Sequence, residues 1–175
     1  TSNKEQKIDK IKINKETIKK NMKTPYFNHA LTKSIFSRIC LTFTNNKIKC
    51  RIIKLFHVYG GDERKTRLWP SLIKSAKNNK DFKMTPGKQI YDFNHIEDIV
   101  DGLLDAINFN RKSKYFPQTW DMASGNAMSV KSFAKKIWKK YNPKSRLIFS
   151  KIKVYDRESY TVNKKVFWKI KCRKP

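Results

Sequence analysis

The chain has 175 residues, 38% of them apolar, and a formal charge of +27 at neutral pH. That length fits one domain, or one and a fraction, and no apolar run approaches the ~18 residues of a membrane span. The charge raises a nucleic-acid partner, but lysines far outnumber arginines and are scattered with Asn and Ile, so the expectation is a solvated basic coat without such a partner. The three cysteines, Cys40, Cys50 and Cys172, show no metal-ligand spacing and no even pairing. They read as reduced thiols of a cytoplasmic protein with no metal site. No signal-peptide pattern opens the chain, and its first residue is Thr1.

Residues 1–23 are rich in Lys and Asn, with a thin stripe at Ile8, Ile11 and Ile18. They read as a basic lead, either a frayed helix or disordered. At Thr24-Pro25 a threonine cap and a proline in the first helical position predict a helix start. It runs to about Thr44, with Ala30, Leu31, Ile35, Ile39 and Phe43 as its buried stripe. His29 and Lys33 share one face of it at i,i+4. From Cys50 to Gly61 a near-continuous apolar run stops at two glycines, the pattern of a strand buried on both faces of a parallel sheet. Ligands collect at the carboxyl ends of such strands, here His57, Tyr59 and the polar loop 62–67.

A helix from about Ser71 to Asn78, a turn at Pro86-Gly87 and a strand from Lys88 to His95 follow. A helix over Glu97–Phe109 carries Ile99, Val100, Leu103, Leu104 and Ile107 on one face. A short strand covers Trp120–Ala123, Ser129 caps a helix reaching Tyr141, and Leu147–Val154 reads as another strand. The tail from Val162 is very basic. Alternating strands and helices give an α/β class.

Four blocks in register resemble the C-terminal half of the extended short-chain dehydrogenase/reductase family, the nucleotide-sugar epimerases and dehydratases. Lys54-Leu55-Phe56-His57-Val58-Tyr59-Gly60 is similar to its Arg-Leu-Phe-x-Val-Tyr-Gly block. Arg67-Leu68-Trp69-Pro70 is similar to its Arg-Leu-x-Pro segment. Thr85 to Phe93, with His95 to Ile99, resembles its Gly-x-Gln-x-Arg-Asp-Phe-x-x-Val-Asp-Asp block. Trp120 to Gly125, with Ser129-Val130, resembles its Asn-Ile-Gly-Ser-Gly…Ser-Val block. The Thr-Pro-Gly-Lys-Gln wording is nearest the branch that makes CDP-linked deoxysugars.

The resemblance implies the C-terminal part of a Rossmann-like doubly wound sheet plus a small α/β substrate-binding domain. Residues 24–61 would be a remnant of the dinucleotide-binding domain, 62–160 the substrate-binding part and 161–175 a basic tail. It implies NAD or NADP as cofactor, a nucleoside-diphosphate sugar as substrate, and leaves a homodimer open. Lys33 takes the place of the lysine that binds the cofactor ribose. His29 stands where the family's proton-transferring tyrosine belongs. Tyr26 is seven residues from Lys33, about 10 Å along a helix instead of about 6 Å for four residues, and is not expected to substitute. His57 is expected to face cofactor and sugar, Leu68 and Pro70 to frame the nucleotide, and Arg157 to reach the diphosphate. Tyr91 occupies the position of the arginine that grips the diphosphate.

No strand–Gly-x-x-Gly-x-x-Gly–helix unit occurs in the sequence, and that unit makes the family's phosphate cradle. The expectation is therefore a truncated or degenerate form, inactive by itself. The rival readings are a non-catalytic descendant acting as a binding module and a basic nucleic-acid-binding protein.

Overall fold

The computed structural model describes residues 25–43, 48, 50–112, 119–151 and 167–172. The lead 1–23, the end of the 147–154 strand and Arg157 lie outside the described residues. Among those described, no helix is long and apolar enough to cross a membrane.

The first helix, α1 (Pro25–Thr42), opens on the expected proline, which has no N–H to leave unpaired. Its apolar stripe does not face a core as expected. Ile35, Ile39 and Phe43 are 49%, 48% and 62% exposed. Of the expected stripe Ala30 is buried and Leu31 half-buried, and the buried side continues through Ser34, four residues from Ala30 on one face.

The Cys50–Gly61 run is two strands, not one. β1 (Ile52–Leu55) and β2 (His57–Tyr59) are separated by buried Phe56. Each joins a different sheet. β1 pairs in parallel with β6 (Thr119–Ala123), with Ile52 opposite Thr119. β2 pairs in parallel with β5 (Phe93–His95), with His57 opposite Phe93. The parallel pairing is as expected, but β1 is half-buried along its whole length and not enclosed on both faces.

Beyond β2, α2 (Leu68–Lys77) starts three residues before the expected Ser71. Pro70 sits in its first turn, where a missing N–H breaks no helical bond. β3 (Phe82–Met84) pairs in parallel with β8 (Leu147–Phe149), and β8 stops short of Val154 because Ser150 and Lys151 already leave the strand. The Lys88–His95 strand divides at Asp92 into β4 (Ile90–Tyr91) and β5. β4 pairs antiparallel with β7 (Met128–Ser129), whereas β5 pairs with β2.

Helix α3 (Ile96–Lys112) buries Ile99, Gly102 and Ala106. The expected face is only partly right, since Val100, Leu104 and Ile107 are 46%, 55% and 53% exposed. The reason is Gly102. A Cβ there would lie 2.4 Å from Cγ2 of Ile170 and 3.2 Å from Sδ of Met122, so the helix rests on the sheet through its narrowest side. Helix α4 (Val130–Tyr141) is capped as read: Ser129 Oγ accepts from the N–H of Ser132 at 3.0 Å. A last strand, β9 (Phe167–Lys169), pairs in parallel with β6. It makes β6 the central strand of the order β1-β6-β9 and was not foreseen.

Two apolar clusters result. One gathers Ile99, Ala106, Trp120, Met122 and Ile170 between α3 and the three-stranded sheet. The other gathers Tyr59, Leu72, Tyr91, Phe93, Phe133 and Ile137 under α2 and α4, and it forms the floor of the candidate site.

Candidate active site

A cleft of about 600 Å³ opens where β2, β5 and the 62–67 loop meet. Period-two alternation along 91–94 builds it. Tyr91 and Phe93 line the cleft, while Asp92 and Asn94, both fully buried, take part in a polar cluster. There, the N–H of Ser124 donates to Asn94 Oδ1 at 2.8 Å and to Asp92 Oδ1 at 3.2 Å. The Ser124 hydroxyl donates to Asp92 Oδ1 at 2.7 Å. These bonds tie β5 to the carboxyl end of β6, so the aromatic wall has a fixed support.

The wall is a set of ring contacts. His57 stacks on Tyr91 at 5.4 Å with 6° between the planes, and meets Phe93 edge-on at 4.9 Å. Phe93 in turn stacks on Phe133 at 3.9 Å. Tyr59 packs between Trp69 and Phe133, and burial pushes its phenol up to about 12. It stays protonated across the physiological range.

The cation of the cleft is Arg67. Its side chain is 60% exposed and lies 3.6 Å from Glu63 Oε1. Burial raises the Glu63 carboxyl above its ordinary range, and Arg67 and the backbone N–H of Gly60 partly oppose that. Thr66, Thr85 and Gln89 add neutral hydrogen-bonding groups to the lining. Among the described residues no group of His, Cys, Asp and Glu is arranged to hold a metal.

The cleft brings together four of the residues singled out in the sequence: His57, Tyr59, Leu68 and Tyr91. Pro70 is half-buried in α2 and does not line it, and His29 and Lys33 are exposed one turn apart on α1, also away from the lining. Trp69 and Gln89 were not singled out as site residues, and Glu63 and Arg67 were read only as part of the polar loop 62–67. Glu63 and Arg67 had a signal, because they belong to the polar loop after a parallel strand. Phe133 had none, since on a helix it reads as ordinary core.

Comparisons with known proteins bear on the family and the fold. Residues 4–117 match the model of the NAD dependent epimerase/dehydratase family. CDP-abequose synthase of Salmonella muenchen is 26% identical over 106 residues, which are 61% of this chain and 36% of the synthase. The UDP-glucuronic acid 4-epimerase of Bacillus cereus, solved with UDP-glucuronic acid and NAD, superposes with a TM-score of 0.56 at 20% identity, covering 83% of this chain and 43% of the epimerase. The UDP-glucose 4-epimerase of Thermotoga maritima, solved with UDP-glucose, gives 0.62 at 14% identity, with 81% and 45% covered. These structures share the Rossmann-like α/β fold, and the chain spans less than half the length of each relative. The chain belongs to the NAD dependent epimerase/dehydratase family.

Proposed function

We propose that the cleft binds a nucleoside-diphosphate sugar, and that the chain is the substrate-binding part of an NAD- or NADP-dependent epimerase, dehydratase or reductase. The observation that carries this reading is one cleft that holds both an aromatic wall, built from His57 at the start of β2 with Tyr91 and Phe93, and an arginine of the loop that follows β2. Stacked His57 and Tyr91 offer flat apolar surface to a base or a sugar ring. Arg67 offers a fork that can bind a diphosphate through two N–H groups. This assigns to Arg67 the charge that Tyr91 cannot supply. Arg157, outside the described residues, is proposed as a second diphosphate donor. Thr66, Thr85 and Gln89 suit sugar hydroxyls.

His29 and Lys33 are proposed as the proton-transfer and cofactor-ribose positions, on the family resemblance and on their shared face of α1. A binding-only role is the second reading, favoured by His29 in the tyrosine's place. Imidazole gains no negative charge when it loses a proton, so a neighbouring lysine cannot activate it as it activates a phenol.

Calorimetric titration of the chain with CDP-, UDP-, GDP- and dTDP-hexoses tests the substrate reading. One of these sugars should bind, and Arg67→Ala should weaken it by roughly 10- to 100-fold, the worth of a charge-assisted hydrogen bond. Absence of binding to all four, or an affinity untouched by both Arg67→Ala and Tyr91→Ala, would overturn it.

A further inference from the structure

Among the described residues acidic groups are not mixed evenly with the basic ones. Between Asp121 and Asp156 the sequence has no acidic residue, and between Arg64 and Tyr91 it has Asp81 alone. Asp81 is already held by Arg146, whose guanidinium donates to Oδ2 at 2.9 and 3.2 Å. These two segments supply α2 and α4, which pack on each other. Helix α4 turns Phe133, Ala134 and Ile137 into the core. It exposes Lys135, Lys136, Lys139 and Lys140, and α2 exposes Lys74 and Lys77. Lys77 Nζ lies 5.8 Å from the centre of the Tyr141 ring at the end of α4, so the lysines of the two helices adjoin. Among the described residues the exposed acidic groups, apart from Asp81, are Asp62 in the loop after β2 and Glu97 and Asp105 on α3. Lysines in a last helical turn are ordinary partners of the helix dipole, which accounts for Lys74, Lys77, Lys139 and Lys140 but not for Lys135 and Lys136.

We propose that the α2–α4 face binds the phosphate backbone of a nucleic acid without preference for base sequence. Ammonium groups are point charges that suit phosphates, and they lack the planar fork that reads base edges. Neutralising phosphates releases their condensed counterions, and that release drives the association. An anionic membrane suits the face less well. Binding in a bilayer interface needs apolar side chains beside the lysines, and the large exposed ones lie on other parts of the chain, such as Ile35 and Phe36 on α1 and Leu104 on α3.

The test is fluorescence anisotropy of a labelled single-stranded oligonucleotide titrated with the whole chain at several salt concentrations. Two variants remove equal charge: Lys135, Lys136, Lys139 and Lys140→Gln on α4, and exposed Lys83, Lys88, Lys151 and Lys171→Gln elsewhere. The first set should weaken binding and flatten the log–log salt slope by about 0.7 for each phosphate no longer neutralised. The second should leave the slope near that of the unmodified chain. Equal weakening by both sets would show a diffuse effect of net charge and overturn the proposal. So would undetectable oligonucleotide binding, or tighter binding to phosphatidylserine vesicles than to the oligonucleotide.

Discussion

Glu63 and Arg67, four residues apart in the loop that lines the cleft, lie 3.6 Å from each other, and an anionic ligand competes with Glu63 for Arg67. Glu63→Gln should therefore tighten nucleotide-sugar binding several-fold while Arg67→Ala weakens it, a contrast that calorimetry on the two variants checks. At position 29 the difference between imidazole and phenol sets the expected rate. In a protein joining this chain to a complete dinucleotide-binding unit, His29→Tyr should raise hydride transfer by roughly the 100- to 10,000-fold of a positioned acid–base group, read as nicotinamide absorbance. A fast His29 form that slows on the change would mark His29 as an adapted catalyst. Behind the wall, Ser124→Ala removes the donor to Asp92 and the acceptor for the N–H of Asn126. Asp92 Oδ1 keeps the Ser124 N–H, so the change should cost about 1 kcal/mol, the net worth of a hydrogen bond, seen as a lower urea midpoint with unchanged slope. His57 and Tyr91 were singled out by motif position and both line the cleft, although His57 opens β2 instead of ending the strand as expected. The Asp92–Ser124 hydrogen bond was not, because nothing local in the sequence pairs residues that far apart.

At the scale of the elements, the helices were found wherever a cap or a proline fixed the start, as at Pro25 and Ser129. Their buried faces were read less well. A hydrophobic stripe marks the core side only when bulk sets the packing, and both α1 and α3 are buried through small residues. The close approach of α3 at Gly102 makes a direct prediction. Gly102→Val would drive a branched side chain into Ile170 and Met122, and overpacking of this kind costs about 1–3 kcal/mol, measurable as a fall in Tm. The β3–β8 pair has its own clip. Hydrogen bonds from the backbone and guanidinium of Arg146 hold the Asp81 carboxyl below its ordinary range. A carboxylate depressed in the folded state stabilises above its unfolded value of about 3.9, and the benefit fades as pH falls through the folded value. Asp81→Asn should therefore lower Tm at neutral pH and converge with the unmodified chain as the pH falls through the folded value, a comparison that thermal scans across pH provide.

For the molecule as a whole, alternation of strands and helices made the α/β class legible, and the parallel pairing of β1 and β2 followed from their apolar composition. The split of the Cys50–Gly61 run between two sheets was not legible, since an unbroken apolar run carries no mark of where its hydrogen-bonding partner changes. The outer strand β9 was hidden for a different reason: three residues in a lysine-rich tail give no period. Yet β9 covers the far edge of β6, and Ile170 just after it completes the cluster around Trp120 and Met122. Removing 167–172 should expose that cluster and increase binding of a hydrophobic dye. Because β6 waits on partners from both earlier and later in the chain, the sheet closes only after almost all of the described polypeptide has been made. A ribosome releases residues in order, so β1 and β6 can meet first, with the β9 side of β6 unpaired until the tail emerges. Such edges recruit other chains, which makes the interval between synthesis of β6 and of β9 the time when this protein most needs a chaperone.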